Sequence, residues 1–246
     1  MDRIIYTAAS GANAAMARQQ ALSNNLANVS TPGFRAELST QRSVPLEGSG
    51  ASTRVFAIEA TAGHLDRSGP ITMTGRNLDV AARDNAYFAL QALDGTEAYT
   101  RAGALEVKED GSLVNPQGLA MLDAGGAPIN VPQGAQVTIG SDGTITAKAA
   151  GQPPAAVGRL KLASPTAEDP LKRGDDGLFR AASGEPIPND ANARMVSGTL
   201  EGSNVNAVES MVGMIAASRQ FEQQMRLLQT AESSDKSAAQ LLNVNG

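Results

Sequence analysis

Apolar residues recur at alternating steps of three and four near the start of the chain. Ile5, Ala8, Ala12, Ala15, Leu22, Leu26 and Val29 form one stripe, with Gln19 as its single polar break. That period brings side chains to one face of an α-helix, so it predicts a coiled-coil-like seam over residues 3–29. The pattern stops at Ser30-Thr31-Pro32-Gly33, where proline and glycine both break a helix. A second stripe lies near the other end. Met211, Met214, Ser218, Phe221, Met225 and Leu228 follow the same spacing inside a proline-free stretch, residues 205–243. This stripe weakens beyond Ala231, where Glu232 and Asp235 fall on seam positions, and Leu241 and Leu242 restore some apolar character. Asn204 or Ser203 is placed to cap the start of this helix.

Between the stripes the period changes. Asp-Gly pairs recur at 94–95, 110–111, 142–143 and 176–177, each a turn signal. Short β-prone runs lie between the turns: Thr53–Ile58, Ala86–Gln91, Ala104–Val107, Gln136–Ile139 and Arg159–Ala163. Runs of this length closed by Gly, Asp, Asn or Pro predict antiparallel strands. The expected architecture is therefore mainly β with terminal α-helices. An antiparallel β-domain over 37–199 is flanked by an N-terminal helical segment, 1–36, and a C-terminal one, 200–246. Neither seam can bury itself alone. The helices can pack on each other and on neighbouring subunits, or fold down onto the β-domain; the pattern leaves both open.

Composition removes several chemistries. The chain has 246 residues and no cysteine, which excludes disulfides, thiolate catalysis and cysteine-type zinc sites. Its formal net charge is −5 and its 20 basic residues are scattered, which argues against a nucleic-acid partner. No apolar run reaches the roughly 18 residues of a membrane span. The N-terminus makes a poor signal peptide, because Asp2 stands where positive charge is expected and Asn13, Arg18 and Gln19 interrupt any apolar stretch.

Candidate active-site chemistry is thin. His64 is the single histidine, sits between Gly63 and Leu65, and lacks a nucleophile elbow nearby. Asp169, Asp175 and Asp176 have the wrong spacing for a calcium loop and read as turn residues. Glu106 with Glu109 or Asp110, and Glu168 with Asp169, are the nearest candidates for a carboxylate pair. Surface charges beside turns are the commoner reason for such spacing. No catalytic, cofactor or metal residue is assigned.

Four stretches carry a resemblance. Ser23-Asn24-Asn25-Leu26-Ala27-Asn28-Val29-Ser30-Thr31-Pro32-Gly33-Phe34 resembles the helix-end signature of the flagellar rod and hook protein family. Thr74-Gly75-Arg76-Asn77-Leu78-Asp79-Val80-Ala81 and Ala98-Tyr99-Thr100-Arg101-Ala102-Gly103 resemble two of its strands. Gly198-Thr199-Leu200-Glu201-Gly202-Ser203-Asn204-Val205, followed by Glu209 to Ile215 and Arg219-Gln220-Phe221-Glu222, resembles its C-terminal helix motif. The order is right and the match spans almost the whole chain. One departure falls at Asp84-Asn85-Ala86, where the family has a Gly-x-Gly turn. Asp and Asn tolerate positive φ, so a turn is still expected there.

The resemblance implies a structural, non-enzymatic subunit of the flagellar basal-body rod. Its terminal helices would form an inner coiled-coil layer and its β-domain an outer layer. The expected assembly residues are Ile5, Ala8, Ala12, Ala15, Leu22, Asn24, Asn25, Leu26, Asn28, Val29, Met211, Met214, Ile215, Phe221, Met225 and Leu228. Pro32, Gly33 and Phe34 would form the structural turn. The implied partners are other copies of itself, neighbouring rod subunits of the FlgC and FlgG type and the flagellar export apparatus. The implied setting is the periplasmic rod, reached by type III export without a cleaved signal peptide. No cofactor, small-molecule substrate, nucleic acid or membrane insertion is implied. The competing readings are a distal-rod subunit, a secreted β-domain adhesin and a β-rich hydrolase. Self-association into rods separates a rod subunit from the last two.

Overall fold

The computed structural model describes residues 2–45 and 55–243. The first part of the predicted run Thr53–Ile58 lies outside the described residues, as do the side chains of Leu241 and Leu242. The fold is mainly antiparallel β with a helix at each end, as the pattern predicts. The chain divides into two compact units, each assembled from separated pieces of sequence. One holds residues 1–29, 36–65 and 205–246; the other holds 30–35 and 66–204. This partition cuts across the consecutive segments 1–36, 37–199 and 200–246. The residues around Pro32 belong to the β unit, and residues 36–65 group with the helices.

The helical unit contains α1 (Asp2–Ala27), α2 (Ala207–Asn243) and a long hairpin of β1 (Glu37–Pro45) and β2 (Val55–His64). The hairpin pairs Glu37 with His64 and Pro45 with Val55, with one register shift between Ser39 and Gln41. His64, flanked by Gly63 as a loop residue would be, instead ends a strand. Helix α2 is capped by Asn206, whose Oδ1 accepts from the N–H groups of Val208 (3.1 Å) and Glu209 (3.3 Å). The cap falls two residues beyond Asn204, the nearer of the two expected positions.

The β unit runs through β3 (Ile71–Met73), β4 (Val80–Ala82), β5 (Tyr87–Gln91), β6 (Glu97–Thr100), β7 (Glu106–Val107) and β8 (Leu113–Val114). It continues with β9 (Gln136–Ile139), β10 (Thr144–Lys148), β11 (Ala155–Arg159) and β12 (Leu162–Ala163). The last four are β13 (Leu171–Arg173), β14 (Phe179–Ala181), β15 (Met195–Ser197) and β16 (Thr199–Glu201). The predicted run Arg159–Ala163 is divided between β11 and β12. The largest sheet has the order β12-β5-β6-β14-β13 and is antiparallel throughout.

Strand β5 explains how this sheet is buried on both sides. Side chains alternate across a strand. Phe88 and Leu90 enter one apolar cluster with Leu105, Met121, Ile145 and Leu160. Tyr87 and Ala89 enter a second with Tyr99, Leu122 and Phe179. Each fully buried large side chain contributes about 1.5–3 kcal/mol of transfer free energy. The four Asp-Gly turns share one device. The glycines at 95, 111, 143 and 177 all adopt positive φ. The preceding aspartate Oδ1 accepts the N–H two residues on, at Thr96, Ser112, Thr144 and Leu178. At the departing turn, Asp84 takes φ of 52°, and Ala86 closes it by donating to the Arg83 carbonyl at 3.2 Å.

Candidate assembly interface

The helices pack on each other along opposite directions. A Cβ on Gly11 would meet Gln224, and a Cβ on Gly213 would meet Leu22 at 3.1 Å. On α1 the predicted alanines sit at the seam: Ala8, Ala12 and Ala15 are buried. Ile5, Leu22, Leu26 and Val29 are half-buried, and Gln19 is exposed.

On α2 the predicted stripe is half-buried except at Met211 and Met225, with Ser218 half-buried at its side. Met214, Phe221 and Leu228 are half-buried. The companion column is shifted by one residue. Ser210, Ala217 and Ala231 are buried and Gln224 is half-buried, whereas Met211 is 44% exposed and Met225 37%. The inward face therefore reads Ser210, Met214, Ala217, Phe221, Gln224, Leu228, Ala231, in steps of four and three. Small side chains let two helix axes approach closely, and the facing α1 seam is alanine. Met211, which the pattern put on the seam, turns outward instead. Beside it lie Val208 (65% exposed), Val212 (61%) and Ile215 (56%). These residues follow i, i+3, i+4, i+7 spacing, so they make one uncovered apolar row on a single helix face.

The asparagines act within the chain. Asn25 is buried; its Nδ2 donates to the Glu37 carbonyl (2.9 Å) and its Oδ1 accepts the Glu37 N–H (2.7 Å). Asn24 donates from Nδ2 to the Glu37 carboxylate at 2.8 Å. Asn28 donates from Nδ2 to the Asn24 carbonyl at 2.9 Å, and its own N–H closes the last helical turn. The signature thus ends α1 and fastens the first residue of β1 to it.

The rest of that signature is built into the β unit. Gly33 has φ of 71° and donates its N–H to the Glu201 carbonyl at 2.8 Å. Phe34 is buried, with the Arg173 guanidinium 4.4 Å above its ring. Pro32 is half-buried. Arg35 follows, 2% exposed, and its Nη1 donates to Glu201 Oε1 at 2.7 Å. Glu201 Oε2 accepts from Arg101 Nε (2.9 Å) and Nη2 (2.8 Å). Arg101 also donates to the Ala86 carbonyl and lies 5.4 Å from the Tyr87 ring centre. Burial pulls the Arg101 pKa down and Glu201 supports it; burial pushes the Tyr87 hydroxyl up. Sequence reasoning assigned no role to Arg35, Arg101 or Glu201. Their signal was available, since Arg101 and Glu201 stand inside motifs that carried the resemblance and Arg35 directly follows one.

Three family models match the chain. Residues 5–35 match "Flagella basal body rod protein", 81–147 match "Flagellar hook protein FlgE/F/G D1 domain", and 196–241 match "Flagellar basal body rod FlgEFG protein C-terminal". Helix ends and β unit thus fall in the class of flagellar hook and basal-body rod proteins. The chain is 43% identical over the full length of both chains to the flagellar basal-body rod protein FlgF of Escherichia coli (strain K12). Its identity to the FlgF of Salmonella typhimurium is 42%, again over all of both chains. To FlgG of Agrobacterium fabrum it is 32%, over 94% of this chain and 95% of that one. The chain belongs to the FlgF family of flagellar basal-body rod proteins.

Proposed function

We propose that this rod subunit joins its neighbours through the paired terminal helices, with the outward row of α2 as the principal contact. The observation that carries this is Val208, Met211, Val212 and Ile215 standing exposed on one face of a helix whose other face is occupied. Covering each of these half-exposed side chains with a neighbour yields roughly 1 kcal/mol, so several copies of the contact are needed to hold a polymer. The exposed Tyr6 and Met16 of α1 extend the available apolar surface. The neighbours are other copies of this chain and subunits of the FlgC and FlgG type, in the periplasmic part of the rod. The chain reaches it through the flagellar export apparatus. Among the described residues, no helix is long and apolar enough to cross a membrane.

The subunit is structural rather than catalytic. Two carboxylates that could have formed acid–base pairs are already engaged, one in a turn and one across the ends of the β13–β14 pair. Asp110 accepts the Ser112 N–H (2.9 Å) and hydroxyl (2.6 Å), and Asp169 accepts the Ser183 N–H (2.9 Å) and hydroxyl (2.8 Å).

Ile215→Asp tests the reading. The variant should keep the circular dichroism and melting of the parent and lose incorporation into rods, scored by electron microscopy and by swimming of cells that lack their own copy. Ala217→Asp, at a fully buried position, should instead disrupt the helix pair itself. Normal rods built from Ile215→Asp would remove the row from the interface.

A further inference from the structure

The chain passes between its two units four times, at 29–30, 35–36, 65–66 and 204–205, so three stretches of the β unit, 30–35, the start of 66–204 and its end, lie beside the passages. These three stretches meet inside the β unit, and one carboxylate touches each. Glu201 Oε1 takes Arg35 Nη1 from the first at 2.7 Å and the Gly69 N–H from the second at 2.9 Å, while Glu201 itself belongs to the third. Main-chain bonds follow the same path. Gly33 donates to the Glu201 carbonyl (2.8 Å), Gly202 to the Pro70 carbonyl (2.8 Å) and Asn204 to the Phe34 carbonyl (3.2 Å). Asn204 Nδ2 also donates to the Arg67 carbonyl at 2.7 Å. There is no slack here, since a Cβ on Gly69 would fall 2.1 Å from the Gly202 carbonyl oxygen.

We infer that Glu201 is a positioning residue, a single buried clasp that holds these three stretches of the chain together at one point of the β unit. The charges are unequal. Two guanidinium groups, Arg35 and Arg101, share one carboxylate, and the side chains of all three are 1% exposed. The Nε of Arg35 is buried with no hydrogen-bond partner. A buried charge needs an opposite partner, so Glu201 is indispensable to both arginines, while Arg35 is the surplus charge. This inference stands independently of the proposed assembly contact on α2.

Amide hydrogen exchange of the full chain, read by mass spectrometry, tests it. In Glu201→Gln, exchange in residues 30–35, 66–70 and 198–204 should accelerate together by roughly tenfold or more, while β5 keeps its protection. Arg35→Met should open residues 30–35 and leave 66–70 protected, because the Gly69 and Arg101 bonds to Glu201 remain. The double variant Glu201→Gln/Arg35→Met should exchange more slowly than Glu201→Gln alone, since it removes one unopposed buried charge. Unchanged exchange in the three segments overturns the clasp, as does acceleration spread evenly over the β unit. A double variant that exchanges faster than Glu201→Gln overturns the charge argument. Should Glu201→Gln fail to fold, the double variant decides: recovery of a folded chain supports the inference and continued failure overturns it.

Discussion

Gly33 and Gly75 carry nearly the same backbone twist, φ of 71° and 74°, in opposite surroundings. A Cβ at Gly33 would lie 2.3 Å from the Ala102 nitrogen and the Arg101 carbonyl carbon; at Gly75 nothing stands within 4 Å. Gly75→Ala should therefore cost only the left-handed penalty, about 1–2 kcal/mol. Gly33→Ala adds a backbone collision and should cost about 3 kcal/mol or more. Urea denaturation of the two variants side by side checks the order. Equal losses would mean that the segment before Arg35 is not wedged against 101–102. The sequence marked Pro32-Gly33 correctly as a helix stop, because both residues act locally. It could not show that Gly33 is required by the segment following β6, nearly seventy positions away.

At the scale of elements, periodicity located both helices within a few residues, and it located the alanine seam of α1. On α2 it chose the more hydrophobic of two adjacent columns, and the structure turned Met211 and Met225 of that choice outward. Both columns satisfy the three–four rule, so the decision belonged to the partner helix, whose small seam favours Ser210 and Ala217 over Met211. The Asn24-Asn25 pair was legible as polar at a helix end, but not its partner, because Glu37 is reached only after the chain turns. Asn25→Ala removes two hydrogen bonds at a buried site and strands the Glu37 N–H and carbonyl. The expected loss is about 1–3 kcal/mol, with faster amide exchange at the start of β1 and an unchanged helix content. If Glu37 stays as protected as before, the side-chain clamp does not hold the hairpin.

The whole molecule joins two units of different make. The helical unit buries mostly alanine along its seam and leaves Val208, Met211, Val212 and Ile215 exposed. The β unit encloses two clusters in which Phe88, Leu90, Leu105, Met121 and Leu160 are at 0% exposure. Large side chains removed wholly from water contribute more per residue than alanine does. Unfolding in urea should accordingly proceed in two steps, with helical circular dichroism lost before the tyrosine signal of Tyr87 and Tyr99 in the β unit. A single coincident transition in both signals would mean that the units stabilise each other enough to unfold as one.

What the sequence alone determined is what short-range rules control. It determined two amphipathic ends, their stop signals, turns at all four Asp-Gly pairs and an antiparallel middle. Family motifs in the right order then identified the class. Tertiary structure decided the rest: the face of α2 that stays open, the grouping of 36–65 with the helices, and the meeting of Arg35, Arg101 and Glu201. Those outcomes depend on which distant segments share a buried space. A charge placed in such a space is tolerable only beside its counter-charge, and the spacing of residues along a chain does not say where that will be.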